Sequence, residues 1–179
     1  GLLSSGLGSA QTGFQAQDHY NAMATNAWVF AAIDRIATSV ASTEWALMRR
    51  RRDGTMLALA EHPLLDLWRL VNPFYTREEF VETSHQHFEI TGEMWWVLVR
   101  GAGGRPVEMW PMRPDRMRPV PSKDEYLAGY VYTIGTERIP LEREDVIFIR
   151  RPSPLDHYRG IGVIGTLLYD LRADQAAAA

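Results

Sequence analysis

The chain has 179 residues, of which 46% are hydrophobic and 23% are charged, and its net charge is −3 at neutral pH. A chain of this length can bury a core within one domain, and its composition excludes a wholly disordered, collagen-like or coiled-coil protein. The net charge excludes a strongly cationic surface spread over the whole molecule. Cysteine is absent, which excludes disulfides, thiolate metal sites and cysteine nucleophiles.

The two ends of the chain differ in composition from its middle. Glycine and serine are frequent in residues 1–9, which predicts a flexible arm over residues 1–20. We expect an α+β domain over residues 21–160. Four alanines end the sequence, which favours a helix that begins within residues 161–179 and is cut off at Ala179. No apolar run reaches the roughly 18 residues that span a bilayer, so no membrane segment is predicted.

Three segments have the three-and-four spacing of apolar residues, or the end signals, that are typical of helices. They run from about Asn26 to Ser42 with Thr25 or Asn26 as the cap, from Pro63 to Asn72-Pro73, and from a capping box at Thr76–Glu79 to Gly92. Proline suits a first helical turn, the residue before a proline disfavours the helix, and glycine readily adopts the left-handed conformation that ends helices.

Most of the remaining sequence is rich in β-branched and aromatic residues, which predicts short strands joined by turns. A hairpin is expected over 45–59 around Asp53-Gly54, followed by strands near 95–99, 107–112, 117–120, 126–134, 138–141 and 146–149. The last of these is apolar throughout, which predicts a position inside a sheet. The predicted fold class is therefore α+β, a mixed or antiparallel β meander packed with several α-helices and ending at the start of a longer helix.

Histidines are the first candidates for chemistry. His85 and His87 lie near Glu82, Glu89 and Glu93, but a metal ion needs side chains that converge on it. Residues two apart on a helix point about 200° away from each other, which disfavours joint ligation by the two histidines. The favoured interpretation has one histidine packed beside the sheet and the other in solvent, and no metal site is predicted.

Two other segments could suggest catalysis or phosphate binding. Asp156-His157 precedes Tyr158-Arg159, yet no serine, threonine or cysteine lies in a nucleophile motif that this histidine could activate. Gly101–Gly104 lacks the Gly-Lys-Ser/Thr ending of a phosphate loop and lies between strands, which favours a hairpin turn. No catalytic or cofactor-binding residue is predicted.

Arginine and tryptophan supply the candidates for interfaces. Arg49, Arg50, Arg51 and Arg52 form the one dense basic cluster, which is either a charged hairpin tip or a contact with another subunit or a capsid. Trp95 and Trp96 are adjacent in a predicted strand and therefore face opposite ways. One is expected in the core and the other under a helix or against a neighbouring subunit, with base stacking as a less favoured alternative.

Seven segments between about Asn26 and Leu171 match, in order, segments of one known protein family. They are Asn26–Ile33 extending to Ala41, Trp45-Ala46-Leu47, His62–Leu65 with Asn72-Pro73, Thr91–Trp96, Val107–Met117, Asp145–Arg150 and Tyr158–Ile164. In this order the chain resembles the portal proteins of tailed bacteriophages of the Hong Kong 97 type. Three details depart from that family: Asn72-Pro73 reverses a Pro-Asn pair, Phe148 replaces a usual histidine, and Gly162-Val163 replaces Ser-Pro.

The resemblance implies the N-terminal half of a portal subunit, mostly its wing region, up to the start of a helix toward the stem. It implies a homo-oligomeric ring of twelve subunits at one capsid vertex, through which double-stranded DNA is packaged and ejected. The implied partners are the major capsid protein, the terminase large subunit and a head-tail connector or adaptor. The resemblance further implies assembly in the host cytoplasm, a location in the virion, no membrane, no cofactor and no enzymatic activity, since the ATPase belongs to the terminase.

Two alternatives remain open at this point. The domain could be another virion component, such as a head-tail connector or adaptor. A metal-dependent hydrolase is the third choice, and it depends only on His85, His87 and His157.

Overall fold

The structure is a computed structural model that describes residues 9–165 and 167, with side chains from residue 17 onward within that range. The helices are α1 Ser9–Thr25, α2 Ala27–Ala41, α3 Pro63–Arg69 and α4 Arg77–Thr91. The strands are β1 Met48–Arg50, β2 Met56–Ala58, β3 Glu93–Arg100, β4 Pro106–Met112, β5 Met117–Ser122, β6 Tyr126–Ile134, β7 Glu137–Leu141 and β8 Val146–Arg150. The α+β prediction is confirmed. No helix among the described residues is long and apolar enough to cross a membrane.

The strands form three antiparallel sheets. β1 and β2 make the hairpin expected around Asp53-Gly54, with Arg49 opposite Leu57. The inner sheet has the order β4-β3-β8, and the outer sheet has the order β5-β6-β7. Only the outer sheet is a simple meander, because β8 returns to pair with β3 after the outer sheet has been completed.

The prediction that Val146–Ile149 lies inside a sheet is wrong. β3 occupies the centre of the inner sheet, and β8 lies at its edge, where β3 is its strand partner in the described part of the chain. Val146 is buried, whereas Ile147 and Ile149 are 37% and 40% exposed. An apolar run therefore marks a strand here without locating it in the sheet.

The two adjacent tryptophans divide the inner sheet into two faces. Trp95 is buried on one face, where it stacks on Phe148 with ring centroids 3.6 Å apart and contacts Tyr130 of the outer sheet edge-on. Trp96 lies on the other face, where its indole N–H donates to Ser84 Oγ of α4 at 2.8 Å. The predicted division is confirmed, and the domain is layered as helices, inner sheet and outer sheet.

The ends of α2 and α4 follow the sequence signals. Asn26 caps α2, because its side-chain oxygen accepts from two amides of the first turn. Thr76 and Glu79 form both hydrogen bonds of a capping box at the start of α4. Gly92 ends α4 with a φ of 76°, in the left-handed region that glycine adopts without strain. These three predictions are confirmed.

α3 ends before the predicted Asn72-Pro73 boundary, with Leu70 as its C-cap. The chain then becomes extended because it pairs with the edge of β4: Met109 N–H donates to Val71 O at 2.7 Å. The Asn72 side chain donates to Met109 O and accepts from the amides of Phe74 and Tyr75. Asn72 thus covers an edge of the inner sheet as well as ending a helical segment.

Residues 9–20 lie within the helix α1, in the part of the chain where the sequence predicted a flexible arm over residues 1–20. The Tyr20 hydroxyl forms a 2.8 Å hydrogen bond with His87 Nδ1 of α4, and the Arg113 guanidinium lies 4.9 Å from the centre of the Tyr20 ring. Short helices gain most of their stability from such tertiary contacts, which composition does not reveal. Most of the predicted final helix lies outside the described residues.

The partly buried His87 should make folding stability depend on pH. The pKa of His87 is lowered from 6.5 to about 4, chiefly by burial and also by the charge of nearby Arg113, while Asp115 opposes the shift. An unfolded chain therefore binds a proton between pH 6.5 and 4 that the folded chain does not. The contribution of neutral His87 is complete above pH 6.5 and is lost as the pH falls toward 4, by about 3 kcal/mol in all.

We expect a His87→Gln variant to lose less unfolding free energy than the wild type between pH 7 and pH 4. Urea unfolding at a series of pH values measures this difference. His157→Gln is the matched control, because His157 is exposed. An equal pH dependence for wild type and His87→Gln would contradict the assignment.

Candidate functional site

The loop that follows β8 crosses the junction between α4 and β3 at very close range. Arg151 N–H donates to Gly92 O at 2.8 Å, which begins the crossing. A Cβ atom added at Gly160 would lie 2.2 Å from Gly92 O, and one added at Gly162 would lie 2.2 Å from Ile90 O. Because these contacts are with backbone atoms that cannot move aside cheaply, only glycine fits at either position.

Glu93 is the polar centre of this junction, and only 1% of its surface is exposed. Its Oε1 accepts from Arg159 Nε at 2.8 Å and from Gly160 N–H at 2.7 Å. Its Oε2 accepts from the Trp95 indole at 3.0 Å. A buried carboxylate is tolerated only when it is paired and hydrogen-bonded, and these three donors meet that requirement.

Arg159 extends the junction to the outer sheet. Its Nη1 donates to Met117 O at 2.8 Å, and its Nη2 donates to Pro114 O at 3.2 Å. Met117 begins β5, and Pro114 begins the short 3-10 helix before it. One guanidinium therefore connects the loop, the first residue of β3 and the start of the outer sheet, which is the kind of planar, multidentate pairing that arginine permits and lysine does not.

The electrostatics of Glu93 reflect two opposing influences. Burial raises the pKa of the Glu93 carboxyl, while the charge of Arg159 and the hydrogen bonds from Gly160, Trp95 and Arg159 oppose that rise. The pair lies away from open solvent and contacts backbone and packed rings. Its geometry is suited to holding three segments in place and offers no open position for a reacting molecule.

The junction sets the direction in which the chain leaves the domain. Residues 163–165 are helical, and Ile164 is buried against Val29 and Ile33 of α2 and Ile90 of α4. The loop held by Arg159 therefore delivers the next helix onto the helical layer. The junction therefore controls the position and direction of the helix that follows it.

The two candidate histidines do not come together. His87 contacts Tyr20 of α1, whereas His85 lies next to Phe88 on another side of α4. Among the described residues, no three His, Asp or Glu side chains are grouped as a metal ion requires. His85 lines a largely apolar cavity of about 180 Å³ whose other walls are Trp45, Trp68, Val81, Phe88, Met94, Trp96 and Ile149. Glu89 is instead ion-paired with Arg151.

The remaining sequence candidates have local structural roles. Asp156 Oδ1 accepts from the Tyr158 amide, which shapes the loop, while His157 is exposed. Gly101–Gly104 forms the expected hairpin turn between β3 and β4, closed by a hydrogen bond from Gly104 N–H to Gly101 O. Neither segment gathers a nucleophile, a base and a substrate-sized cavity.

The four clustered arginines lie at the tip of the β1–β2 hairpin and are all exposed. Arg49 and Arg50 end β1, and Arg51 and Arg52 enter the turn. The hairpin also exposes Met48, Met56 and Leu57. Every residue of both strands is exposed, and a two-stranded hairpin of this kind is marginally stable by itself.

Sequence reasoning missed the pairing of Glu93 with Arg159. Each residue lies beside a glycine, in Gly92-Glu93 and Arg159-Gly160, and a glycine beside a charge can indicate close backbone approach. The 65 positions between them hide the pairing, because no local pattern shows that the two segments meet.

Comparisons with known proteins identify relatives of this fold. The family model described as "Phage portal protein" matches residues 27–179. Similar solved chains come from the virion of a native gene transfer agent particle, the neck of an empty particle computed with C6 symmetry, and the neck of a native particle computed with C12 symmetry. Each is 24% identical over 90% of this chain, with a TM-score of 0.75.

This likeness shows a shared fold. The chain spans less than half of the matched chains, 43% or 44% of their length. A comparison with curated proteins finds no match.

Replacing Gly160 by alanine should destabilise the domain, because the new Cβ would meet Gly92 O at 2.2 Å. We expect a loss of about 1–3 kcal/mol or more in unfolding free energy, as for other overpacked sites. Gly103→Ala is the matched control, since a Cβ there meets nothing within 4 Å, and it should change stability by less than about 0.5 kcal/mol. Equal stability of the two variants in urea titration would refute the close-contact assignment.

Proposed function

The chain belongs to the phage portal protein family, whose model matches residues 27–179, and from this premise we propose that it is a structural subunit of a portal ring at a capsid vertex. The observation that carries the proposal is the family match over the layered fold described above. The Glu93–Arg159 junction supports a structural role, since its buried groups hold segments in position. The ring would be the conduit through which double-stranded DNA is packaged and ejected.

Twelve subunits are the stoichiometry that we propose. A chain with this fold occurs in a native gene transfer agent neck computed with C12 symmetry. Closed rings form through head-to-tail contacts, which require two different surfaces on each subunit. The helical layer and the outer sheet lie on opposite sides of the inner sheet and provide two such surfaces.

Finer assignments follow from the ordered sequence matches. We propose that the subunit is of the Hong Kong 97 type, with residues 21–160 in the wing and residues 161–179 leading toward a stem. Its partners would be the major capsid protein, the terminase large subunit and a head-tail connector or adaptor. The subunit would assemble in the host cytoplasm, reside in the virion and perform no catalysis itself, since the packaging ATPase would be the terminase.

Native mass spectrometry of the full protein that carries this chain tests the ring. We expect a single closed species with the mass of twelve subunits, and negative-stain images with a central hole. A monodisperse monomer would refute the proposal. A ring of another symmetry would instead favour a different head-tail connector.

The hairpin tip is the contact that we propose between a subunit and its neighbour or the capsid. Its exposed arginines have planar groups that pair well with carboxylates across an interface. Changing Arg49, Arg50, Arg51 and Arg52 to serine should reduce ring assembly or capsid incorporation at least several-fold while leaving the thermal unfolding midpoint nearly unchanged. Sedimentation analysis and incorporation assays measure the effect. Normal assembly and incorporation would indicate instead that the cluster is a solvated hairpin tip.

A further inference from the structure

A second basic surface lies on the outer sheet, on the side that faces away from the domain core. Residues alternate across each strand, so Met117, Tyr130, Tyr132 and Leu141 pack inward while their neighbours face outward. We call the outward surface formed by Arg116, Arg118, Thr133 and Arg138 the arginine face. These residues line one open groove of about 640 Å³.

The strand register fixes the arrangement of the arginine face. Thr133 pairs directly with Arg138 on β7, and Arg118 on β5 pairs with Val131, two residues from Thr133 on the same side of β6. Arg116 directly precedes β5. Strand spacings place the backbones of Arg118 and Arg138 about 10 Å or more apart, with those of Arg116 and Arg118 about 7 Å apart. The three charges are therefore spread along the open groove, with Arg118 and Arg138 on strands and Arg116 at the end of the short 3-10 helix before β5.

The positive charge of the arginine face is not neutralised by ion pairs within the described part of the chain. Arg116, Arg118 and Arg138 are exposed, and none forms an ion pair or side-chain hydrogen bond in the described part of the chain. The one carboxylate that lines the groove is Asp115, whose two oxygens accept from the Arg113 guanidinium at 3.0 and 2.9 Å. A local excess of positive charge thus occurs on a chain whose net charge is −3.

The character of the groove favours a phosphate backbone over a peptide. Proline occupies both edges of the outer sheet, at Pro119 and Pro121 on β5 and at Pro140 on β7, which removes amides that an added peptide strand would need. Protein interfaces concentrate aromatic side chains at their centre, and no aromatic residue lines this groove. The same lack disfavours single-stranded nucleic acid, which stacks its bases on aromatic rings.

We propose that the arginine face binds the phosphate backbone of double-stranded DNA without reading its sequence. Arginine pairs bidentately with phosphate oxygens, and the Thr133 hydroxyl is a further donor between the charges. The inference rests on the proposed function, because the proposed portal ring would be a conduit for double-stranded DNA. It adds that the outer sheet, and not only a channel, contacts DNA.

Counterion release gives the proposal a quantitative signature. Neutralising three phosphates of duplex DNA predicts that the logarithm of the binding constant falls with the logarithm of salt concentration with a slope of about −3. Replacing one of the three arginines by glutamine should weaken binding to every duplex sequence alike and reduce the magnitude of the slope by about one.

Fluorescence anisotropy with a labelled 20-base-pair duplex, between about 50 and 200 mM NaCl, measures this slope. The triple variant Arg116→Gln, Arg118→Gln, Arg138→Gln should lose at least ten-fold in affinity and most of the slope. Arg35→Gln is the matched control, because Arg35 is exposed on α2 in the helical layer. Circular dichroism and thermal unfolding should be the same for all variants, since the three side chains are exposed.

Four outcomes would overturn the inference. Two concern affinity: the triple variant binds as tightly as the wild type, or the wild type does not bind the duplex at about 50 mM NaCl. The third is loss of the salt slope in the Arg49–Arg52 serine variant instead. The fourth is full competition by inorganic phosphate at the duplex's own phosphate concentration, which would indicate a discrete phosphate site. Any of these in a protein that still forms the ring leaves the proposed function intact. Failure to form a ring contradicts the proposed function whatever the duplex result.

Discussion

The buried ion pair between Glu93 and Arg159 is the interaction on which the rest of the structure depends. Two charges leave water to form it, and that desolvation is offset only because the Trp95 indole and the Gly160 amide also donate to the carboxylate. The pair joins the start of the inner sheet, the entry to the outer sheet and the loop after β8. Close glycine contacts at Gly92, Gly160 and Gly162 then allow the backbones to approach within reach of these side chains.

The two-faced inner sheet gives the domain two different outer surfaces, one formed by helices and one by the outer sheet. Trp95 anchors the outer sheet on one face, and Trp96 anchors α4 on the other. The outer sheet can therefore carry arginines on its far side without disturbing the helical layer, which packs through apolar residues such as Ile33 and Ile90. In the proposed ring, these opposite sides would meet neighbouring subunits, capsid or DNA without competing for the same residues.

Sequence patterns predicted the parts of the fold that local chemistry determines. The caps at Asn26 and Thr76, the end of α4 at Gly92 and the opposite orientations of Trp95 and Trp96 each follow from a preference of one short segment. The position of β8 could not be predicted in this way, because an apolar run has the same appearance at the centre and at the edge of a sheet. α1 was not predicted, because its contacts are with residues distant in sequence, such as His87 and Arg113.

The candidate sites also divide into those that a local sequence pattern predicts and those that depend on the whole fold. The Asp53-Gly54 turn signal placed Arg49–Arg52 at a hairpin tip. Arg116 ends a 3-10 helix and only Arg118 lies on β5, so strand alternation alone would not have brought these two arginines together. The partnership of Glu93 with Arg159 requires knowing that β8 returns beside β3, which is a property of the whole fold. Long-range electrostatic pairs of this kind become visible only once the topology is known.

A double-mutant cycle on Glu93 and Arg159 tests the central claim most directly. The single variants Glu93→Gln and Arg159→Met and the double variant are compared with the wild type by urea unfolding. We expect each single change to cost up to about 3–5 kcal/mol and the pair to show a coupling energy of about 1–3 kcal/mol. Additive losses, with a coupling within about 0.5 kcal/mol of zero, would contradict the claim that this pair holds the domain together.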